Sequence, residues 1–216
     1  MYTFNPSFEV VEGFKSNYSD EEIKNEPMFF NSTVLYAFDH GGPITKGFLY
    51  PLLEGEFVGL HDVFDSRAHM LMPGWFPCIP GWHHDDVPRG EDGQPQYDEI
   101  LYFSRHILGM VNADIAPTEF LISPISLPKI EKGKVYGEWN KMIQSEIYRS
   151  SLEIKRVESG KAYHFDADTF HRGVPAIKNG WRWFGRVSCD THRKNHTTNE
   201  IRKQVQVYLP CPEAGW

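Results

Sequence analysis

Ile79-Pro80-Gly81-Trp82-His83-His84-Asp85-Asp86 puts two imidazoles and two carboxylates side by side. Such a cluster is costly to bury without partners, so it lies on the surface or binds something. In an extended segment, residues two apart point the same way. His83 and Asp85 can therefore aim at one point, and His84 and Asp86 at the opposite side. A third ligand must come from elsewhere, and Asp166-Ala167-Asp168-Thr169-Phe170-His171-Arg172-Gly173 offers His171. Two imidazoles and one carboxylate on one face of a metal leave positions open for a co-substrate and oxygen, an arrangement suited to Fe(II).

His171 follows the β-rich Tyr163-His164-Phe165 and precedes a hairpin with Lys178-Asn179-Gly180 at its turn. The next strand reads Trp181-Arg182-Trp183-Phe184-Gly185-Arg186-Val187-Ser188, and its alternation puts Arg182, Phe184, Arg186 and Ser188 on one side. An inward guanidinium there matches a carboxylate in two-pronged fashion and could hold a dicarboxylate such as 2-oxoglutarate. Its 2-oxo acid end would then chelate the iron.

The elements that must position these residues are mostly strands. Val63–Met72, Glu99–Ile107, Glu119–Ile125, Leu152–Val157, Lys161–Phe165, Trp181–Cys189 and Gln204–Leu209 are β-rich or alternating. Gly and Pro clusters separate them. Two helices are predicted, one starting at the capping box Ser19-Asp20-Glu21-Glu22, the other over Trp139–Arg149. Short strands with turns between them predict a mainly β sandwich or open barrel with flanking helices. The length suits one domain, with its core over roughly 63–209 and residues 1–62 as an extension packed on it.

The formal net charge of -7 lacks the basic balance that phosphate-gripping proteins use, so nucleic acid is not favoured as a partner. Arg193-Lys194 and Arg202-Lys203 read as solvated surface. Three cysteines without a CxxC pair argue against a disulfide framework or a cysteine zinc site, and a reducing, cytoplasmic compartment fits. Neither a secretory leader nor a membrane span is expected.

His83-His84-Asp85, distal His171 and Arg182 beyond a hairpin together resemble the Fe(II)/2-oxoglutarate-dependent dioxygenase superfamily. Trp82 to Asp86 is similar to its alkylation-repair members. His171-Arg172-Gly173-Val174-Pro175 through Gly180-Trp181-Arg182 is similar to its prolyl- and phytanoyl-hydroxylases. The resemblance covers roughly Val63 to Ser188. It implies a double-stranded β-helix, a cupin-like jelly-roll barrel. It implies Fe(II) on His83, Asp85 and His171, with 2-oxoglutarate and O2 as co-substrates. It further implies hydroxylation of a C–H bond with release of succinate and carbon dioxide. A retained Asp85 fits hydroxylation rather than the family's halogenation, where halide takes the carboxylate's place.

Some registers stay open. His84-x-Asp86 also satisfies H-x-D, although the flanking Trp and trailing Asp favour His83 and Asp85. Arg186-Val187-Ser188 matches the R-x-S of some members, so Arg182 or Arg186 could anchor 2-oxoglutarate, and Arg186 could hold substrate instead. Among the bland readings, His192 and His196 are zinc-spaced but sit in a polar loop. The tryptophans at 75, 82, 181 and 183 read as core. A cupin-type metal-dependent hydrolase or isomerase could use the same three ligands without the arginine. A non-catalytic jelly-roll binding module would need neither metal nor co-substrate. The substrate stays open among a small molecule, an amino acid and a nucleobase.

Overall fold

The computed structural model describes residues 1–97, 104–130 and 134–209. The first elements are β1 (Tyr2–Phe4), β2 (Phe8–Gly13), α1 (Asp20–Asn25), β3 (Met28–Phe30) and β4 (Ser32–Thr33). The helices α2 (Val34–His40) and α3 (Pro43–Glu54) follow, then β5 (Val63–Leu71) and β6 (Arg105–Val111). Next come β7 (Thr118–Leu121), β8 (Ile125–Leu127), α4 (Val135–Tyr148) and β9 (Ile154–Arg156). The chain ends with β10 (Lys161–Asp166), β11 (His171–Gly173), β12 (Gly180–Cys189), a 3₁₀ turn at His192–His196, and β13 (Glu200–Arg202).

The architecture is mainly β and antiparallel. A large sheet has the order β2-β10-β6-β12-β5-β4, and a smaller one runs β11-β7-β9. The pairs β1-β8 and β13-β3 stand apart from these. Period-two alternation gives the large sheet two different faces. One carries Phe64, Ala68, Ile107, Val111, Ala162, Trp183 and Val187, buried against Phe48, Leu49 and Leu52 of α3 and Val34 and Ala37 of α2. Gly109 lets α3 approach closely, since a Cβ there would meet the Phe48 ring at 2.5 Å. The other face carries Leu108, Met110, Tyr163 and Phe165, which close on Phe120 of the small sheet and Val157. The candidate residues of β5 and β12 look out from this second face.

The capping box at Ser19 forms, with Ser19 N–H donating to Glu22 at 2.7 Å. The helix expected over Trp139–Arg149 starts earlier, at Val135, and buries Trp139 and Ile143. Helices α2 and α3 were not among the two expected; Gly41-Gly42 separates them, and α3 holds Gly47 and Pro51 inside. Here Pro43 is at the first turn, where it costs no hydrogen bond. The free N–H groups of Gly42, Ile44 and Thr45 donate to buried Glu26 at 3.0, 3.2 and 2.9 Å. Glu26→Ala should leave these donors without a partner and cost roughly 2–3 kcal/mol, read from the urea midpoint. An unchanged midpoint would mean that water replaces the carboxylate.

Several strand boundaries differ from expectation. Glu119–Ile125 is not one strand: β7 and β8 belong to different sheets, split at Ser123-Pro124. Gln204–Leu209 forms no strand, only a bridge between Tyr208 and Phe76. Part of Glu99–Ile107 lies outside the described residues, and β6 begins at Arg105. Residues 1–62 do more than cover a core, because β2 and β4 are strands of the large sheet. No helix among the described residues is long and apolar enough to cross a membrane.

Candidate metal centre and its cavity

His83 and His171 are tied together by their own backbones. His83 N–H donates to His171 C=O at 3.0 Å, and His171 N–H returns the bond to His83 C=O at 3.1 Å. The small sheet holds one side of this bridge, because β11 pairs with β7 at His171↔Phe120. Helix α4 holds the other. Asn140 accepts from Trp82 N–H at 2.6 Å and donates to Trp82 C=O at 3.1 Å. Gly81 beneath it has φ of +113°, a conformation that disfavours a side chain, and a Cβ would also meet Asn140 at 3.0 Å.

The structure brings His83, Asp85 and His171 together, with one ligand atom from each inside a span of 4.8 Å. Among the described residues this is the only such group of His, Cys, Asp and Glu side chains. His83 Nδ1 is 2.9 Å from the Gly81 carbonyl, and His171 Nδ1 is 3.2 Å from the Thr169 carbonyl. A carbonyl can only accept, so each Nδ1 carries the hydrogen and each Nε2 is left as a lone pair. His171 Nε2 sits 2.9 Å from Asp85 Oδ2. Two acceptors that close need a proton or a cation between them. The donor set and its orienting carbonyls therefore fit a divalent metal.

Burial, together with the neighbouring His171, pushes His83 down to about 3. Burial also pushes His171 down to about 4, against the pull of the Thr169 carbonyl. Neutral imidazoles are the form a metal needs. His84 faces the opposite way, as the alternation predicts. Its ring lies 3.8 Å from Phe170 and 4.8 Å from Phe4, with Nδ1 bound to the Tyr97 hydroxyl at 2.9 Å. Asp86 also turns away from the triad, toward Arg193.

A cavity of about 310 Å³ opens beside the triad, lined among others by Arg182, Phe184 and Arg186 of β12 and Asp65 and Arg67 of β5. Arg182 is 2% exposed. Its Nη2 reaches only the Met110 sulfur, at 3.5 Å, and its Nε has no partner. Burial pulls this guanidinium down to about 10, which still leaves it charged at neutral pH. Arg186 is differently placed, for it meets Asp85 directly and lies 3.4 Å from Asp65. Ser188 does not line the cavity; its hydroxyl is 3.0 Å from His106 Nδ1.

Two site residues escaped the sequence reading. Arg193 was read as solvated surface, yet the 3₁₀ turn carries it inward to donate to Asp65 at 2.7 Å. Asp65 itself is buried. Burial raises its carboxyl, but Arg186, Arg193 and the Asn31 N–H outweigh that and hold it below the usual range. The available signal was on β5, where Asp65, Arg67 and His69 recur at every second position and so share one face. Among the described residues, His192 and His196 join no group that could hold a metal.

Six imidazoles, His69, His83, His84, His106, His164 and His171, are pushed down chiefly by burial, His106 and His171 to about 4. In the unfolded chain they take up protons below about pH 6.5. Protons then favour the unfolded state, and stability falls with pH from that point until the folded imidazoles titrate. The metal-free protein should keep a level urea midpoint above pH 7 and lose it steeply between pH 6.5 and 4. A flat profile would show that these rings are reachable by water.

The chain matches no known protein-family profile and no curated protein.

Proposed function

We propose that this chain is an Fe(II)- and 2-oxoglutarate-dependent oxygenase that hydroxylates a C–H bond. The observation that carries this reading is a pairing. One cavity contains a His83–Asp85–His171 group, half-buried at His83 and Asp85 and buried at His171, and a buried guanidinium, Arg182, with no carboxylate partner among the described residues. A metal-dependent hydrolase or isomerase has use for the first feature and none for the second. An unpaired buried cation is destabilising unless a ligand anion completes it.

In this reading His83, Asp85 and His171 hold the iron, and Arg182 grips the far carboxylate of 2-oxoglutarate. Arg186 is committed to Asp85 and Asp65, so it orients a ligand instead of anchoring the co-substrate. Bound iron and 2-oxoglutarate supply the oxidising chemistry, in which R–H, O2 and 2-oxoglutarate give R–OH, succinate and carbon dioxide. The Gly81 and Thr169 carbonyls fix which imidazole nitrogens face the cavity. Phe184 and Leu108 give that cavity apolar walls that limit water. The two facing antiparallel sheets, with the site at their opening, support a double-stranded β-helix.

An anaerobic Fe(II) titration with and without 2-oxoglutarate tests the assignment. The reading expects a weak visible charge-transfer band that needs both. Iron binding without the band would move a hydrolase or isomerase ahead. Binding of neither would favour a non-catalytic module.

A further inference from the structure

The charges around the cavity form one continuous chain, with two cations left over. Asp85, Arg186, Asp65, Arg193 and Asp86 alternate in sign. Arg186 meets Asp85 and lies 3.4 Å from Asp65; Arg193 is 2.7 Å from Asp65 and 3.4 Å from Asp86. Each member has an opposite neighbour. Arg182 and Arg67 stand outside this chain. Both line the cavity, and neither has an acid partner among the described residues.

Their positions along the sheet separate their roles. Across the β5–β12 ladder, Asp65 faces Arg186, Arg67 faces Phe184 and His69 faces Arg182. Arg67 therefore lies between the fully buried Arg182 and the ion chain that reaches the triad. Arg67 is half-buried, so it stands nearer the mouth. The far carboxylate of 2-oxoglutarate can neutralise Arg182, which leaves Arg67 facing the cavity without an anion. Beside it the lining is apolar, from Phe30, Ile79 and Phe184.

We propose that the substrate is a small organic acid, its oxyanion held by Arg67 and its apolar body set against Phe30, Ile79 and Phe184. This rests on the oxygenase reading above. The cavity, about 310 Å³, is at the small end for a ligand site and is shared with 2-oxoglutarate, so it leaves room only for a compact acid. A carboxylate and a phosphate monoester offer the same oxyanion, and the test separates them.

Calorimetry on the full chain loaded with Mn(II) and 2-oxoglutarate gives a readout independent of turnover. The probes are isovalerate, isoamyl phosphate and the uncharged isovaleramide. At least one acid should bind, with the amide about tenfold weaker or worse, the effect of one charge-assisted hydrogen bond. Arg67→Met should weaken the acid about tenfold and leave 2-oxoglutarate affinity within about twofold. Arg67→Lys, which keeps the charge, should retain the preference for acid over amide and covers the case in which the methionine variant does not fold. Equal binding of amide and acid, or no binding of either acid, overturns the proposal. So does an Arg67→Met variant that weakens 2-oxoglutarate as much as the acid, which would make Arg67 part of the co-substrate clamp. A wild-type chain that fails to take up 2-oxoglutarate is seen before any probe is added, and it refutes the oxygenase reading itself.

Discussion

Replacing Arg182 with methionine should make the ligand-free protein more stable while costing it about 100-fold in 2-oxoglutarate affinity. The two effects have one origin. Arg182 is a cation at 2% exposure with a thioether as its nearest acceptor. A methionine of similar length fills the space without a charge to desolvate, and about 1–3 kcal/mol of stability should be gained. On the oxygenase reading, bound 2-oxoglutarate gives the same guanidinium a carboxylate to grip in two-pronged fashion, and its loss should then be felt in full. Urea midpoints with and without 2-oxoglutarate measure both quantities, since a ligand that binds only the folded state raises the midpoint. In the variant the ligand-free curve should move up and the ligand-induced shift should vanish. A variant that is destabilised without ligand would mean that Arg182 is a structural residue with a partner beyond the described ones.

Asp85→Ala and His171→Ala should each lower Co(II) or Fe(II) affinity by at least about 100-fold, because each removes one of three donors from a divalent ion. Neither should unfold the chain. Arg186 keeps Asp65 when Asp85 is lost, and the His83–His171 bridge is made by backbone atoms that no substitution removes. His84→Phe is the internal control. It should hold metal affinity within about twofold while lowering stability, since His84 sits among Phe4, Phe170 and Tyr97. Co(II) spectra across the three variants decide the register. A large loss in His84→Phe with little in Asp85→Ala would transfer the site to the other alternation.

The centre was legible because its signals are short in range and strict in period. Alternation puts the His and Asp of each H-x-D pair on one side and leaves two registers to choose between, and Arg182 and Arg186 share a strand face for the same reason. The long strands β5, β10 and β12 showed the same alternation. Helices α2 and α3 were hidden because their Gly and Pro residues carry opposite meanings inside and at the edge of a helix. The deciding contact, Glu26 on the first turn of α3, is tertiary. Arg193 was hidden for a similar reason. Nothing in Arg193-Lys194 tells which side chain a 3₁₀ turn will point inward, and its partner Asp65 lies far back in the chain.

The backbone bridge between residues 83 and 171 also constrains when the centre can come into being. Its two imidazoles come from opposite halves of the chain, each held by a carbonyl of its own half, and they meet only across the bridge. A ribosome that has released only the first half presents H-x-D without its counterpart, so a metal ion cannot take all three donors until His171 has been made. Metal loading on all three ligands must therefore follow synthesis of β11, and a product truncated before it would lack one of the three donors whatever the metal supply.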